Sequence, residues 1–144
     1  MDKLRIGFEL TDTWNREEFR QLIRIMMFSP ITFCKRPDTQ LELFIISNND
    51  SSAYVYKIAT QLGLNDGIHT ILCNFRQDKV NACVANNIDI YFDADSLTIT
   101  MIEPTLTNGI LVRSITDPYH VTMKYVVEFE DVLKTIINEK FPQC

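Results

Sequence analysis

The sequence predicts an α/β fold: a mainly parallel sheet sandwiched between helices in three layers. Three observations carry that expectation. The strand candidates are short and apolar on both faces, as strands covered on two sides are. They alternate with segments of helical periodicity. Their carboxyl ends are loaded with acids, serine and asparagine, which is where a parallel sheet places its ligands. The chain has 144 residues and is 46% apolar, enough for one domain around one core.

The elements follow in order. Leu4–Phe8 is a buried strand that stops at Glu9, with Thr11, Asp12 and Thr13 close behind. Arg16–Met27 reads as a helix. Thr13 or Asn15 serves as its cap, Glu17 and Glu18 occupy its first turn, and Phe19, Leu22, Ile23 and Met26 form one stripe. Pro30 and Pro37 bound an irregular link. Leu41–Ile46 is the second strand, and SNNDSS after it is a turn and helix cap. Ala53–Leu62 is a helix with Tyr54, Ile58 and Leu62 on one stripe and Gly63 near its end. Thr70–Cys73 is a short strand, Asp78–Ala85 a helix, and Ile88–Phe92 a strand ending in Asp93-Ala94-Asp95. Thr98–Glu103 fits helix and strand equally well. In PTLTNGILV, Asn108-Gly109 is a turn signal rather than a phosphate loop, and Ile110–Val112 is a strand. Tyr125–Glu139 contains a closing helix, with Val132, Ile136 and Ile137 apolar. The ensemble is a Rossmann-like three-layer arrangement.

Charge and composition narrow the function. The net charge is −5 and the pI about 5.0. No basic stretch interleaves with aromatics, which argues against nucleic acid as a partner. No apolar run approaches the length of a membrane span or a signal-peptide core. Of the four cysteines, Cys34, Cys73, Cys83 and Cys144, none forms a C-x-x-C pair, and His69 and His120 complete no metal-ligand spacing. The expectation is a cytoplasmic protein with free, mostly buried thiols. The weight of Ile and Asn suggests an AT-rich coding genome, with viral sources among the candidates.

Several residues have both a bland and a functional reading. Trp14 is a core indole or a stacking platform. Met26-Met27-Phe28 is helix core before it is a partner groove. His120 is a loop histidine before it is a base. Arg76 is a solvated helix residue or a phosphate contact.

Acids and Ser/Asn are ordinary turn residues one at a time. Three strand ends loaded together are less ordinary, and their order resembles the haloacid dehalogenase superfamily of phosphatases and phosphotransferases. GFELTDTW (Gly7 to Trp14) resembles its first motif, FIISN with Ser47 its second, Lys79 in FRQDKVNACVANN its third, and IDIYFDAD with Asp93 and Asp95 its fourth. The resemblance spans roughly residues 4 to 112 and leaves no room for a full cap domain, so it implies one domain over residues 1–144. It implies Glu9 at the nucleophile position and Thr11 at the acid/base position. It further implies phosphate contacts from Ser47, Asn48, Lys79 and Thr13, and Mg²⁺ on Glu9, Asp93, Asp95 and Asp12.

Two departures bear on activity, since the family carries Asp where Glu9 and Thr11 stand. Glu is longer than Asp by one bond, roughly 1.5 Å, and a misplacement near 1 Å costs about 10²-fold in rate. Loss of a general acid/base removes about 10²- to 10⁴-fold more. The expectation is a degenerate, non-catalytic site that binds a phosphorylated small molecule, a nucleotide or a protein partner. An active Mg²⁺-dependent phosphatase or phosphotransferase is the alternative, and an interaction or inhibitory protein without ligand is the third class.

Overall fold

A computed structural model describes residues 3–10, 40–64 and 66–111. Five strands form one sheet: β1 (Lys3–Phe8), β2 (Gln40–Asn48), β3 (Thr70–Cys73), β4 (Ile90–Asp93) and β5 (Asn108–Leu111). Their spatial order is β3-β2-β1-β4-β5, and every neighbouring pair is parallel. Parallel neighbours need crossovers. Helix α1 (Ser52–Leu62) links β2 to β3, α2 (Arg76–Ala85) links β3 to β4, and α3 (Ser96–Ile102) links β4 to β5. A short 3₁₀ turn, Asn49–Ser51, leads into α1.

The strands alternate between two cores. Leu4, Ile6 and Phe8 of β1 pack with Leu43, Ile45, Ile90, Phe92 and the Val55, Ile58 and Ala59 stripe of α1. Phe44, Ile46 and Tyr91 point the other way, onto Val80 and Cys83 of α2 and Ile102 of α3. Both faces are therefore covered, which is why these strands read as continuous apolar runs. This is the expected α/β, Rossmann-like three-layer arrangement. Among the described residues no helix is long and apolar enough to cross a membrane.

Most elements lie where the sequence places them, with several differences. β2 runs on through Ser47 and Asn48, which the sequence assigns to a turn, β4 begins at Ile90 rather than Ile88, and α1 buries Val55, Ile58 and Ala59 while Tyr54 is exposed. The ambiguous Thr98–Glu103 stretch is helical. Asp95 caps it by accepting from the Leu97 N–H, and Thr98 and Ile102 are its buried residues. Asn108-Gly109 is the start of β5 rather than a turn: the Asn108 N–H bonds the Asp89 carbonyl at 2.9 Å. A Cβ on Gly109 would lie 3.3 Å from Ile99, so tertiary packing rather than turn propensity selects glycine there. Helix α2 begins two residues before the expected Asp78. The Arg16–Met27 helix, the Met26-Met27-Phe28 run, Pro30, Pro37, Cys34, His120, the Tyr125–Glu139 helix and Cys144 lie outside the described residues.

Candidate functional site

The strand order reverses direction at β1: β2 and β3 lie on one side of it, β4 and β5 on the other. That is the switch point, where a crevice opens beyond the carboxyl ends of the strands. Glu9 follows β1, and its N–H extends the ladder by bonding the Phe92 carbonyl at 2.9 Å. Since Phe8 pairs with Phe92, Glu9 and Asp93 stand side by side one residue further on. Ser47 and Asn48 close β2, and Asn74, Phe75 and Arg76 lead from β3 into α2.

Four of these side chains form one buried cluster. Glu9, Ser47, Lys79 and Asp93 are each at most 3% exposed. The Ser47 hydroxyl donates to Glu9 Oε1. Lys79 Nζ, reaching up from the first turn of α2, lies 2.7 Å from Glu9 Oε2 and 3.2 Å from Asp93 Oδ2. The Tyr91 hydroxyl donates to the same Asp93 oxygen at 2.7 Å, and the Asp95 N–H donates to Asp93 Oδ1 at 2.8 Å. Period-2 alternation explains Tyr91: two residues before Asp93, it shares that residue's face of β4.

Burial opposes charge here and partnership restores it. Burial raises the Asp93 carboxyl above its ordinary value, against the opposing pull of Lys79, the Asp95 N–H and Tyr91. Burial also pulls the Lys79 ammonium down, but Asp93 and Glu9 together outweigh it and hold it above its ordinary value. The Tyr91 phenol is raised well above its ordinary value, by burial first and by Asp93 and Glu9 next, so it acts as a neutral donor. Burial pushes the nearby thiols up, Cys73 to about 11 and Cys83 to about 12, which disfavours the thiolate in both.

The cluster forms the floor of a cleft of about 500 Å³, whose lining includes Glu9, Asn48, Asn74, Phe75, Arg76, Lys79, Asp93 and Asp95. That volume lies in the range of small-molecule sites. Among the described residues, both of its cations are paired with carboxylates, Lys79 with Glu9 and Asp93 and Arg76 through Nε alone. Arg76 Nε donates to Asp95 Oδ2 at 2.6 Å, and Thr98 donates to the same oxygen at 2.7 Å. The Asp95 carboxylate thus braces α3 against α2 and is turned away from the Glu9–Lys79–Asp93 group, which Asp95 joins only through its backbone N–H. Its carboxyl is held below its ordinary value because Arg76 and Thr98 outweigh its partial burial.

Of the residues singled out from sequence, Glu9, Ser47, Lys79 and Asp93 meet directly. Asn48 and Asp95 join them on the cleft wall. Thr11, Asp12, Thr13 and Trp14 lie outside the described residues. Sequence reasoning passed over Tyr91, Asn74 and Phe75. The alternation in IYFD marks Tyr91, whereas nothing local marks the other two. Hard oxygen ligands for Mg²⁺ are present in Glu9, Asp93 and Asp95. As folded, however, Lys79 takes the place between Glu9 and Asp93 that a cation would need, and Arg76 holds Asp95. Among the described residues no group of three or more His, Cys, Asp or Glu is placed to hold an ion. No protein-family model, curated protein or solved structure matches the chain.

Proposed function

We propose that the cleft at the β1/β4 switch point binds a phosphorylated small molecule or nucleotide without turning it over, as a degenerate haloacid-dehalogenase-like protein. The observation that carries the reading is the buried Glu9–Lys79–Asp93 cluster beneath an open cleft. Replacing a buried ion pair by apolar residues is often neutral or stabilising, so fold stability gives little reason to keep three charges there. A polar ligand gives one. Perturbed titratable groups in a cleft are the usual mark of such a site. The family resemblance gains support from the same contacts: the strand-one acid, the strand-two serine, the helix lysine and the strand-four aspartate converge as that resemblance implies.

Two features favour binding over turnover. Both Glu9 oxygens are engaged, one by Ser47 and one by Lys79. A glutamate also carries its carboxylate one bond, roughly 1.5 Å, further out than an aspartate. Among the described residues, the donors that face a ligand include the Asn48 amide, the third Lys79 proton and the terminal nitrogens of Arg76. Glu9, Asp93 and Asp95 against Lys79 and Arg76 leave the cleft formally at −1. A phosphate dianion therefore enters with a proton or a divalent cation such as Mg²⁺. Two buried, unpaired thiols accord with a reducing, cytoplasmic setting.

The convergence of Glu9, Ser47 and Lys79 equally favours a second reading, an active Mg²⁺-dependent phosphatase, and one experiment separates the two. Thermal melting is followed with inorganic phosphate, ribose 5-phosphate and nucleoside monophosphates, with and without Mg²⁺ at constant ionic strength, alongside phosphate release. A ligand at ten times its Kd adds about 1.4 kcal/mol, a melting shift of about 3 to 6 °C. That shift without release supports the binder. Release at about 1 to 10³ s⁻¹, abolished by Glu9→Gln, supports the enzyme. No shift with any phosphate rejects both and leaves an interaction protein.

A further inference from the structure

Phe75 stands at the N-cap of α2, a position that favours Ser, Thr, Asp or Asn because their side chains accept a helix N–H. A phenylalanine cannot. Asp78 compensates from within the first turn, accepting from the Asn74 and Phe75 N–H groups at 3.2 and 3.0 Å. The ring itself is 73% exposed and lines the mouth of the cleft whose floor is Lys79. Two local preferences are thus broken at one residue: a capping position without a capping side chain, and a large apolar ring in water. Such breaks are expected where function outweighs local stability. Beside it, Arg76 is anchored through Nε to Asp95, and among the described residues its terminal nitrogens have no other partner. The cleft therefore has an ion-paired polar floor, an aromatic lip and a fixed guanidinium edge.

From this we infer that the ligand is a nucleotide rather than a sugar phosphate, its base stacked on Phe75 and its phosphate directed to the Lys79 and Asn48 end. Base stacking on an aromatic side chain is tolerant of sequence because every base presents a π face. Discrimination therefore falls between ligands with and without a ring, more than among the four bases. Arg76, held edge-on by Asp95, supplies a second planar surface or a hydrogen-bond donor to the base.

The inference rests on the ligand-binding reading above, and the test keeps the two apart. Dissociation constants for adenosine 5′-monophosphate, cytidine 5′-monophosphate and ribose 5-phosphate are measured by calorimetry on the full chain, with Mg²⁺ present, for wild type, Phe75→Ser and Phe75→Trp. The wild type is expected to prefer both nucleotides to ribose 5-phosphate by about 5- to 150-fold, the range that one stacked base commands. Phe75→Ser should lose that preference, leave the ribose 5-phosphate affinity unchanged and raise the melting temperature, since serine caps the helix. Phe75→Trp should keep the preference. Equal affinity for nucleotide and ribose phosphate in the wild type overturns the inference and leaves phosphate binding standing. So does an undiminished preference in Phe75→Ser. Failure of all three compounds to bind overturns the underlying reading and this one with it.

Discussion

Replacing Lys79 by methionine isolates the buried cluster, because methionine keeps most of the apolar stem and deletes the ammonium. In the wild type, Lys79 Nζ lies 2.7 Å from Glu9 and 3.2 Å from Asp93. At an effective dielectric of 20 those separations correspond to attractions of about 6 and 5 kcal/mol. Desolvating each ion costs several kcal/mol, so the intact cluster contributes little net stability. The variant has no such cancellation. It leaves two adjacent buried carboxyls without their cation, and breaking a buried pair this way costs about 3 to 5 kcal/mol. With a urea m-value of about 2 kcal/mol/M, the unfolding midpoint at pH 7 should fall by about 1.5 to 2.5 M. The pH dependence is the sharper check. Without Lys79 the Asp93 carboxyl, already held above its ordinary value by burial, loses its main opposing pull and is raised further. That penalty is present at neutral pH and relieved as pH falls, so the gap between variant and wild type should narrow from pH 7 to pH 5. Adding Glu9→Gln should recover part of the loss, and adding Asp93→Asn more. A Lys79→Met protein within about 1 kcal/mol of wild type at pH 7, with a gap independent of pH, would refute the cluster as described.

Three further outcomes follow from the same geometry. A Cβ on Gly7 would meet Ile46 at 3.1 Å and the Tyr91 ring at 3.3 Å, and Tyr91 is tethered by its hydroxyl to Asp93. Gly7→Ala should therefore cost about 1 to 3 kcal/mol by overpacking, read from urea midpoints, and a neutral substitution would mean that β1 and β4 separate freely. Gly63 ends α1 at φ +70° with open space around it, while Leu64 N–H bonds the Ala59 carbonyl at 2.7 Å. There Gly63→Ala should cost about 1 kcal/mol from backbone conformation alone, checked by thermal melting. The Asp95 carboxyl is held below its ordinary value of 3.8, so its contribution is present above that value and lost as pH falls through the lowered one. Asp95→Asn should accordingly lose less stability than wild type on acidification below about pH 4; equal losses would mean that Arg76 does not hold Asp95 in solution.

Local pattern alone was enough for the sheet-and-helix alternation. Strands covered on both faces must be apolar throughout and α1 must show a stripe, so LRIGF and LELFII read directly as strands and Ala53–Leu62 as a helix. Its expected stripe of Tyr54, Ile58 and Leu62 nevertheless gives way to Val55, Ile58 and Ala59, with Tyr54 exposed. The rule for parallel sheets pointed to a candidate site at the carboxyl ends, and with it to Glu9, Ser47 and Asp93, which the fold brings together. Lys79 was legible only through the family resemblance, because a lysine on a helix has many bland readings. Tertiary structure decided the rest. Strand order depends on which hydrophobic faces meet, not on any one segment, and that order puts Glu9 next to Asp93 rather than next to another strand end. It also decided that Asp95 turns to Arg76 on a neighbouring helix instead of joining the acids, since its partners come from 19 residues upstream and three downstream. Asn108-Gly109 has the sequence of a turn, yet hydrogen bonds to Asp89 and the packing of Ile99 make it a strand. Phe75 is visible in sequence only as an apolar residue before a helix. Its exposure at the lip of the cleft exists because β3 and α2 carry it to the switch point, where long-range packing rather than local propensity sets what a side chain can touch.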